Sequence, residues 1–302
     1  MATESHRRLG PEPTCPPPDP NPTKPRIALP PLSCDSHFHI FGPANKFPYA
    51  LDRSFTPHDA SKEALIRLHR FLGVERGVFI QSACHGTDNS AVVDALAELK
   101  GRYRGVALLD PDTAPAEIAR LDAAGFCGVR FHLVPHLNPH LGAMPRLDDL
   151  RAVMRLIEPH GWHIAIHLFG KELLESLDFI RSIKAPVVID HIGRVDAGEG
   201  PDGRAFRALR GLVDTGKVWV KLSGTDRITR EKPPYGDAVA LARILADQAP
   251  ERMLWGTDWP HPNHSAVPND GMLVDLIADI APDDSTRRRM LVDNPAEFFG
   301  FS

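Results

Sequence analysis

At 302 residues the chain exceeds one ordinary domain, yet an α/β barrel commonly takes about 250 residues as a single unit, so one barrel plus a tail fits. With 42% hydrophobic and 25% charged residues it has the make-up of a globule that buries a large core, which excludes fibrous, collagenous and coiled-coil readings. Lys+Arg 35 against Asp+Glu 39 leaves a formal net charge of −4, so no bulk cationic field exists for a phosphate backbone and no nucleic-acid partner is expected.

Residues 1–31 hold ten of the 29 prolines and no periodic apolar pattern, so they are expected as a Pro-rich N-terminal arm lying on the body, with the barrel over 32–302. No apolar run approaches the roughly 18–20 residues of a membrane span, and the N-terminus lacks the apolar stretch of a secretory signal. A cytoplasmic chain without membrane contact is expected, and homo-oligomerisation stays open. Cys15, Cys34, Cys84 and Cys127 form no CxxC pair and should be free thiols.

After the arm, short β-rich apolar runs alternate with amphipathic stretches. The runs cover 34–41, 77–82, 105–109, 128–133, 163–168, 187–192, 218–223 and 253–258. The stretches at 60–72, 89–100, 114–124, 147–160, 171–183, 203–215 and 237–248 show the 3.6-residue period of outer helices. Runs as continuously apolar as APVVID at 185–190 indicate a parallel sheet covered on both faces. Eight apolar runs alternating with seven amphipathic stretches, without a GxGxxG or a P-loop, predict a single (β/α)8 barrel in the α/β class rather than an open doubly wound sheet.

In such a barrel the chemistry sits at the C-terminal ends of the strands. The first run ends in CDSHFHIFG, and the strand period of two points His37 and His39 to one face. The fifth run ends with His167, the sixth with His191 and Arg194, and the eighth with Asp258, His261 and Asn263. Neutral imidazoles and a carboxylate suit a borderline ion such as zinc, and catalytic sites use about three protein ligands plus water. Taken singly, each residue also has an ordinary reading as a hydrogen-bonded core histidine, a turn residue or a cap. Arg130 lies inside an apolar strand and must either pair with an internal acid or face a cavity; the cavity is expected. His132 should share its face, His261 should support Asp258, and Trp255 and Trp259 should pack.

The order of HxH on the first strand, His on the fifth and sixth and Asp on the eighth resembles the amidohydrolase superfamily. More narrowly, DSHFHIFGP at 35–43, QSACHGTDN at 81–89, GVRF at 128–131, IDHIGR at 189–194, WGTDWPHPN at 255–263 and DNPAEFFGF at 293–301 resemble the 2-pyrone-4,6-dicarboxylate lactonase family from about residue 24 onward. That resemblance implies opening of a doubly carboxylated cyclic ester in aromatic-compound degradation, in a family whose lactonase works without a metal. It gives His37, His39 and His191 the role of polarising the lactone carbonyl and Asp258 that of the base deprotonating water. Arg130, Arg194 and Arg227 would hold substrate carboxylates, with Asn263 nearby; planar guanidinium forks match carboxylates in a bidentate way.

Three departures qualify the resemblance. The family lactonase has Tyr where this chain has His167, and an imidazole there completes the usual ligand set of the wider superfamily. His136 replaces a further Arg, and Gln81-Ser82-Ala83 displaces the hydroxyl that would face substrate. His85 and Thr87, after the second run, are read either at the mouth of the site or in a turn followed by an Asp cap, and Ser82 and Thr87 are counted as substrate-binding candidates. The expectation is therefore a lactonase acting on a carboxylated or similarly anionic lactone, 2-pyrone-4,6-dicarboxylate or a muconolactone-type relative. One divalent metal, zinc, would be held by His37, His39, His167 and Asp258, with a metal-free mechanism on the same residues as the alternative. An aromatic-acid decarboxylase, a sugar-lactone isomerase and a noncatalytic anion-binding barrel remain as competitors.

Overall fold

The structure is a computed structural model that describes residue 10, residues 12–137 and residues 145–301. Eight parallel strands follow one another around a single sheet: β1 Cys34–Phe38, β2 Arg76–Ile80, β3 Tyr103–Ala107, β4 Phe126–His132, β5 His163–His167, β6 Val187–Ile189, β7 Val218–Lys221 and β8 Met253–Leu254. The ring closes through Ser36 N to Trp255 O at 2.8 Å, Asp258 N to His37 O at 2.7 Å and His39 N to Trp259 O at 2.7 Å. This is a (β/α)8 barrel. Most strands stop one to four residues short of the apolar runs that signalled them, because the chain leaves the ladder at the upper rim to form the site.

Outside the barrel lie α1 Lys62–Leu72, α2 Ser90–Glu98, α3 Pro115–Ala124 and α4 Leu147–Ile157. The amphipathic stretch at 171–183 breaks into α5 Gly170–Glu175 and α6 Leu177–Ser182. α7 Arg204–Val213, the short α8 Thr225–Ile228 and α9 Gly236–Gln248 complete the ring, and α10 Asp270–Asp275, α11 Ile277–Ile280, α12 Asp284–Arg288 and α13 Asn294–Phe299 follow β8. The last four and α8 were not legible from periodicity, since four to six residues are too few for a helical moment to stand out.

Two apolar layers result. Helix faces pack on the outside of the sheet through residues such as Leu65, Leu121, Phe79, Ile166 and Leu245. Cys34, Val78, Ile80, Val106, Ala165, Val188, Trp219 and Leu254 fill the barrel interior, and Phe299 and Phe301 plug its lower end. The polar site rests on this dry floor. Among the described residues of the N-terminal segment no helix or strand forms, and side-chain contacts hold it to the barrel. Thr23 Oγ1 donates to Asn269 Oδ1 at 2.7 Å and Arg26 Nε to Asp275 Oδ2 at 2.9 Å. No helix among the described residues is long and apolar enough to cross a membrane. All four cysteines are free.

Candidate active site

A strand that simply alternated from Cys34 inward would send His37 outward. The register of β1 against β2 shifts between Asp35 and Phe38, and a bulge of this kind inverts the parity that follows. Phe38 therefore enters the helix layer against Phe79, at a centroid distance of 4.8 Å, while His37 and His39 reach the Asp258 carboxylate inside. Gly256 permits the closure: a Cβ there would lie 2.7 Å from His37 N. Gly224, at φ +75°, likewise leaves room for His191, whose Cβ would be 2.9 Å from an added Cβ.

Six of the eight non-glycine residues with positive φ among the described residues sit in the loops after β6 and β8: His191, Ile192, Arg194, Asp258, His261 and Asn263. Such left-handed turns cost of order 1–3 kcal/mol each and cluster at functional sites. Here they turn His191 and Asp258 into the barrel mouth. The cavity at that mouth is lined by His39, Phe55, Ser82, Arg130, His132, His167, Phe169, His191, Arg194, Arg227, Asp258 and Asn263, among others. His37 lies beneath it, fully buried.

Asp258 organises the floor. Its Oδ1 lies 3.4 Å from His39 Nε2, 3.6 Å from His37 Nε2 and 3.8 Å from His191 Nε2, while Arg227 Nε donates to Oδ2 at 2.5 Å. Burial alone would raise this carboxyl, but Arg227 and the surrounding histidines hold it well below the usual carboxylate range. Burial pushes His37 and His39 below the ordinary imidazole value and His191 down to about 3. The rings are neutral, so each offers one lone pair and one N–H.

The outer nitrogens indicate which is which. His39 Nδ1 lies 2.7 Å from Ile80 O, and a carbonyl only accepts, so the proton is on Nδ1 and the Nε2 lone pair faces Asp258. His191 Nδ1 pairs with Ser223 Oγ at 2.9 Å. His37 Nδ1 has two neighbours of opposite demand, Lys221 Nζ at 3.2 Å and Asp190 Oδ1 at 3.3 Å. At His39 a lone pair and a carboxylate oxygen face each other without a proton between them, which is what a cation needs. Ligand atoms of His37, His191 and Asp258 gather within 4.8 Å of one another, and a tetrahedral zinc with bonds of about 2.0–2.1 Å separates its ligands by roughly 3.4 Å. Carboxylate, carbonyl and hydroxyl partners on the far nitrogens are the usual outer support of metal-bound imidazoles. The donor set thus fits a divalent ion.

The sequence model of the amidohydrolase family matches residues 34–301. The chain belongs to this family. Among the relatives of this amidohydrolase are a 4-sulfomuconolactone hydrolase of Hydrogenophaga intermedia, 40% identical over 281 residues with 91% of each chain covered. A 2-pyrone-4,6-dicarboxylate hydrolase of Comamonas testosteroni is 40% identical over 289 residues, covering 92% of this chain and 93% of the relative. The crystal structure of a probable 2-pyrone-4,6-dicarboxylic acid hydrolase from Acinetobacter baumannii with citric acid bound superposes with a TM-score of 0.79 at 26% identity. That match covers 89% of this chain and 100% of the other.

The expected residues are distributed unevenly over this amidohydrolase site. Arg130, Arg194, Arg227, Asn263 and Ser82 all line the cavity. Arg130 meets both of its alternatives, because its Nε also pairs with Asp190 Oδ2 at 3.0 Å. His167 lines the cavity but turns Nδ1 to His132 Nδ1 at 3.4 Å, and it stands outside the three-residue cluster that His191 joins. Thr87 is a correction: Gly86, at φ +56°, carries the chain away, and Thr87 is exposed and donates to Asp110 Oδ2 at 3.0 Å. His261 is another, since its ring pairs with Asp270 at 3.1 Å and reaches Asp258 only through its backbone N–H, at 2.8 Å from Asp258 O. The side chain of His136 lies outside the described residues. Sequence reasoning missed Asp190, Lys221 and Ser223. A lysine closing the apolar run VWVK was the available signal.

Proposed function

We propose that this amidohydrolase hydrolyses a small lactone bearing carboxylate or sulfonate groups, by attack of a water activated at Asp258 on the ring ester carbonyl. The observation that carries the reading is the pairing, in one cavity, of a buried ionised carboxylate with a half-buried cation that meets no carboxylate among the described residues. Arg194 has no carboxylate within ion-pair distance among the described residues; it lies over the Phe169 ring, 4.7 Å from its centroid, and burial lowers it only to about 10. It stays charged at neutral pH and is free to bind an anion. The relatives support the choice of anion, one acting on a sulfo-substituted lactone and the other on a pyrone dicarboxylate. Citric acid in the Acinetobacter barrel is a further anionic occupant of the fold.

In this mechanism Asp258 accepts the proton of the attacking water. His191, which lines the cavity with the Ser223 hydroxyl on its Nδ1, faces the carbonyl oxygen as charge develops, and a well-placed donor at that position is worth roughly 3–4 kcal/mol; His39, its proton held by Ile80 O, offers a lone pair there. Arg130 spends Nε on Asp190, and Arg227 spends Nε on Asp258 and Nη2 on Pro262 O; their remaining N–H groups orient the substrate, so that attack is effectively intramolecular. A divalent ion, zinc in this proposal, would be held by His37, His191 and Asp258 with His39 beside them, and when bound would acidify water and polarise the ester carbonyl.

A pH-stat screen of carboxylated and sulfonated lactones, with and without added zinc, tests the assignment. One equivalent of acid per lactone consumed is expected. Carbon dioxide release would make the enzyme a decarboxylase instead, and conversion without acid would make it an isomerase. Arg194→Met should raise KM about 10- to 100-fold while changing kcat little, the loss expected for a charge-assisted hydrogen bond. An unchanged KM would remove Arg194 from the substrate site.

A further inference from the structure

Lys221 and Asp190 have no part in the chemistry just described, yet both are completely buried directly under it. A buried ammonium and carboxylate are costly to keep unless each is well paired. Lys221 Nζ lies 3.1 Å from Asp190 Oδ1 and 3.2 Å from His37 Nδ1, and Asp190 Oδ2 receives Arg130. His37 Nδ1 can satisfy only one of its two neighbours. If Nδ1 carries the proton, it donates to Asp190 and Nε2 presents a lone pair to the cluster. If Lys221 donates to Nδ1, the proton sits on Nε2 and points at Asp258 Oδ1, 3.6 Å away.

The geometry separates the two arrangements. The Lys221–His37 contact has hydrogen-bond geometry, whereas Asp190 Oδ1 and His37 Nε2 are both buried without a hydrogen-bond partner. We propose that Lys221 is a positioning residue that selects the Nε2–H form of His37 and that it thereby opposes capture of a divalent ion by the same nitrogen. Asp190 pulls the other way. The ammonium and the carboxylate thus decide whether His37 Nε2 presents an N–H or a metal-ligating lone pair to the site.

Hydrogen bonding and charge predict the same signs. Removing Lys221 removes the competing donor and a positive charge beside a ligand ring; Asp190→Asn keeps one acceptor oxygen but removes the negative charge that favours the Nδ1–H, ligand form. Partners of this kind are typically worth 10- to 100-fold in metal affinity. Lys221→Met should therefore tighten zinc binding about 10- to 100-fold in a chelator competition, and Asp190→Asn should weaken it by a similar factor. In the apo protein, 15N-imidazole NMR should find His37 protonated on Nε2 in the parent chain and on Nδ1 in Lys221→Met.

Lys221→Leu, neutral and without a hydrogen-bond donor, carries the same test if the methionine variant does not fold, and Asp190→Asn keeps the native volume. Unchanged or weaker zinc binding without Lys221, or an unchanged His37 tautomer, would overturn the proposal. Neither readout involves a substrate, so a failure here is distinguishable from a failure of the lactonase reading.

Discussion

Asp258→Asn is expected to lower kcat for the lactone by about 10²–10⁴-fold, the usual contribution of a positioned general base, while KM changes by less than a few-fold. Among the described residues Asp258 is the one carboxylate that lines the cavity, and the neutral imidazoles of His39 and His191 are the other groups there with a lone pair for the proton of the attacking water. The substitution isolates that role. At φ +65° Asp258 occupies left-handed backbone, which asparagine tolerates nearly as well as aspartate and alanine does not. The carboxamide oxygen can still accept from Arg227, so the loop after β8 should keep its place. Since the Asp258 carboxyl is held well below the usual carboxylate range, the parent enzyme should show no loss of kcat/KM from this group between pH 8 and 5. A residual kcat within tenfold of the parent, in a variant with an intact melting transition, would move the base elsewhere.

What could be read from sequence and what could not follow from physical range. Strand and helix identity depend on local periodicity, and each of the eight runs from 34–41 to 253–258 overlaps the strand it announced, with β2, β3 and β4 beginning one or two residues earlier. The rim residues His37, His39, His191 and Asp258 were legible because strand ends of a barrel converge whatever the intervening distance. Which nitrogens share a partner was not. His167 and His132 turn to each other across β5 and β4, a consequence of register that no spacing along the chain encodes. The bulge in β1 was equally invisible, though without it the HxH pair would point out of the barrel. Asp190 stood beside His191 in the sequence and was passed over, because a carboxylate next to a ligand is informative only once Arg130 and Lys221 are seen to meet it.

The second large effect concerns stability in acid. His163 is buried at the barrel floor between Gly128, Phe298 and Phe299, and burial lowers it to about 3, with Lys221 adding to the shift. In the unfolded chain the same imidazole titrates near 6.5. Below that value the unfolded state binds a proton that the folded state refuses, so stability falls as pH falls, by about 1.4 kcal/mol per pH unit, until the folded value is reached. At pH 4 this single ring costs on the order of 3 kcal/mol relative to neutral pH, and His191, also lowered to about 3, adds a comparable amount. Asp190 and Asp258, held low, are stabilising above about 3.9 and lose that contribution only as pH drops through their folded values, so they sharpen the decline at its acid end. Urea titrations between pH 7 and 4 should therefore show a steep fall in unfolding free energy. His163→Leu removes one titrating ring from the floor without touching the cavity, and it should flatten the slope below pH 6.5 by about 1.4 kcal/mol per unit. Parallel slopes for the parent and the variant would mean that His163 is already protonated in the folded barrel.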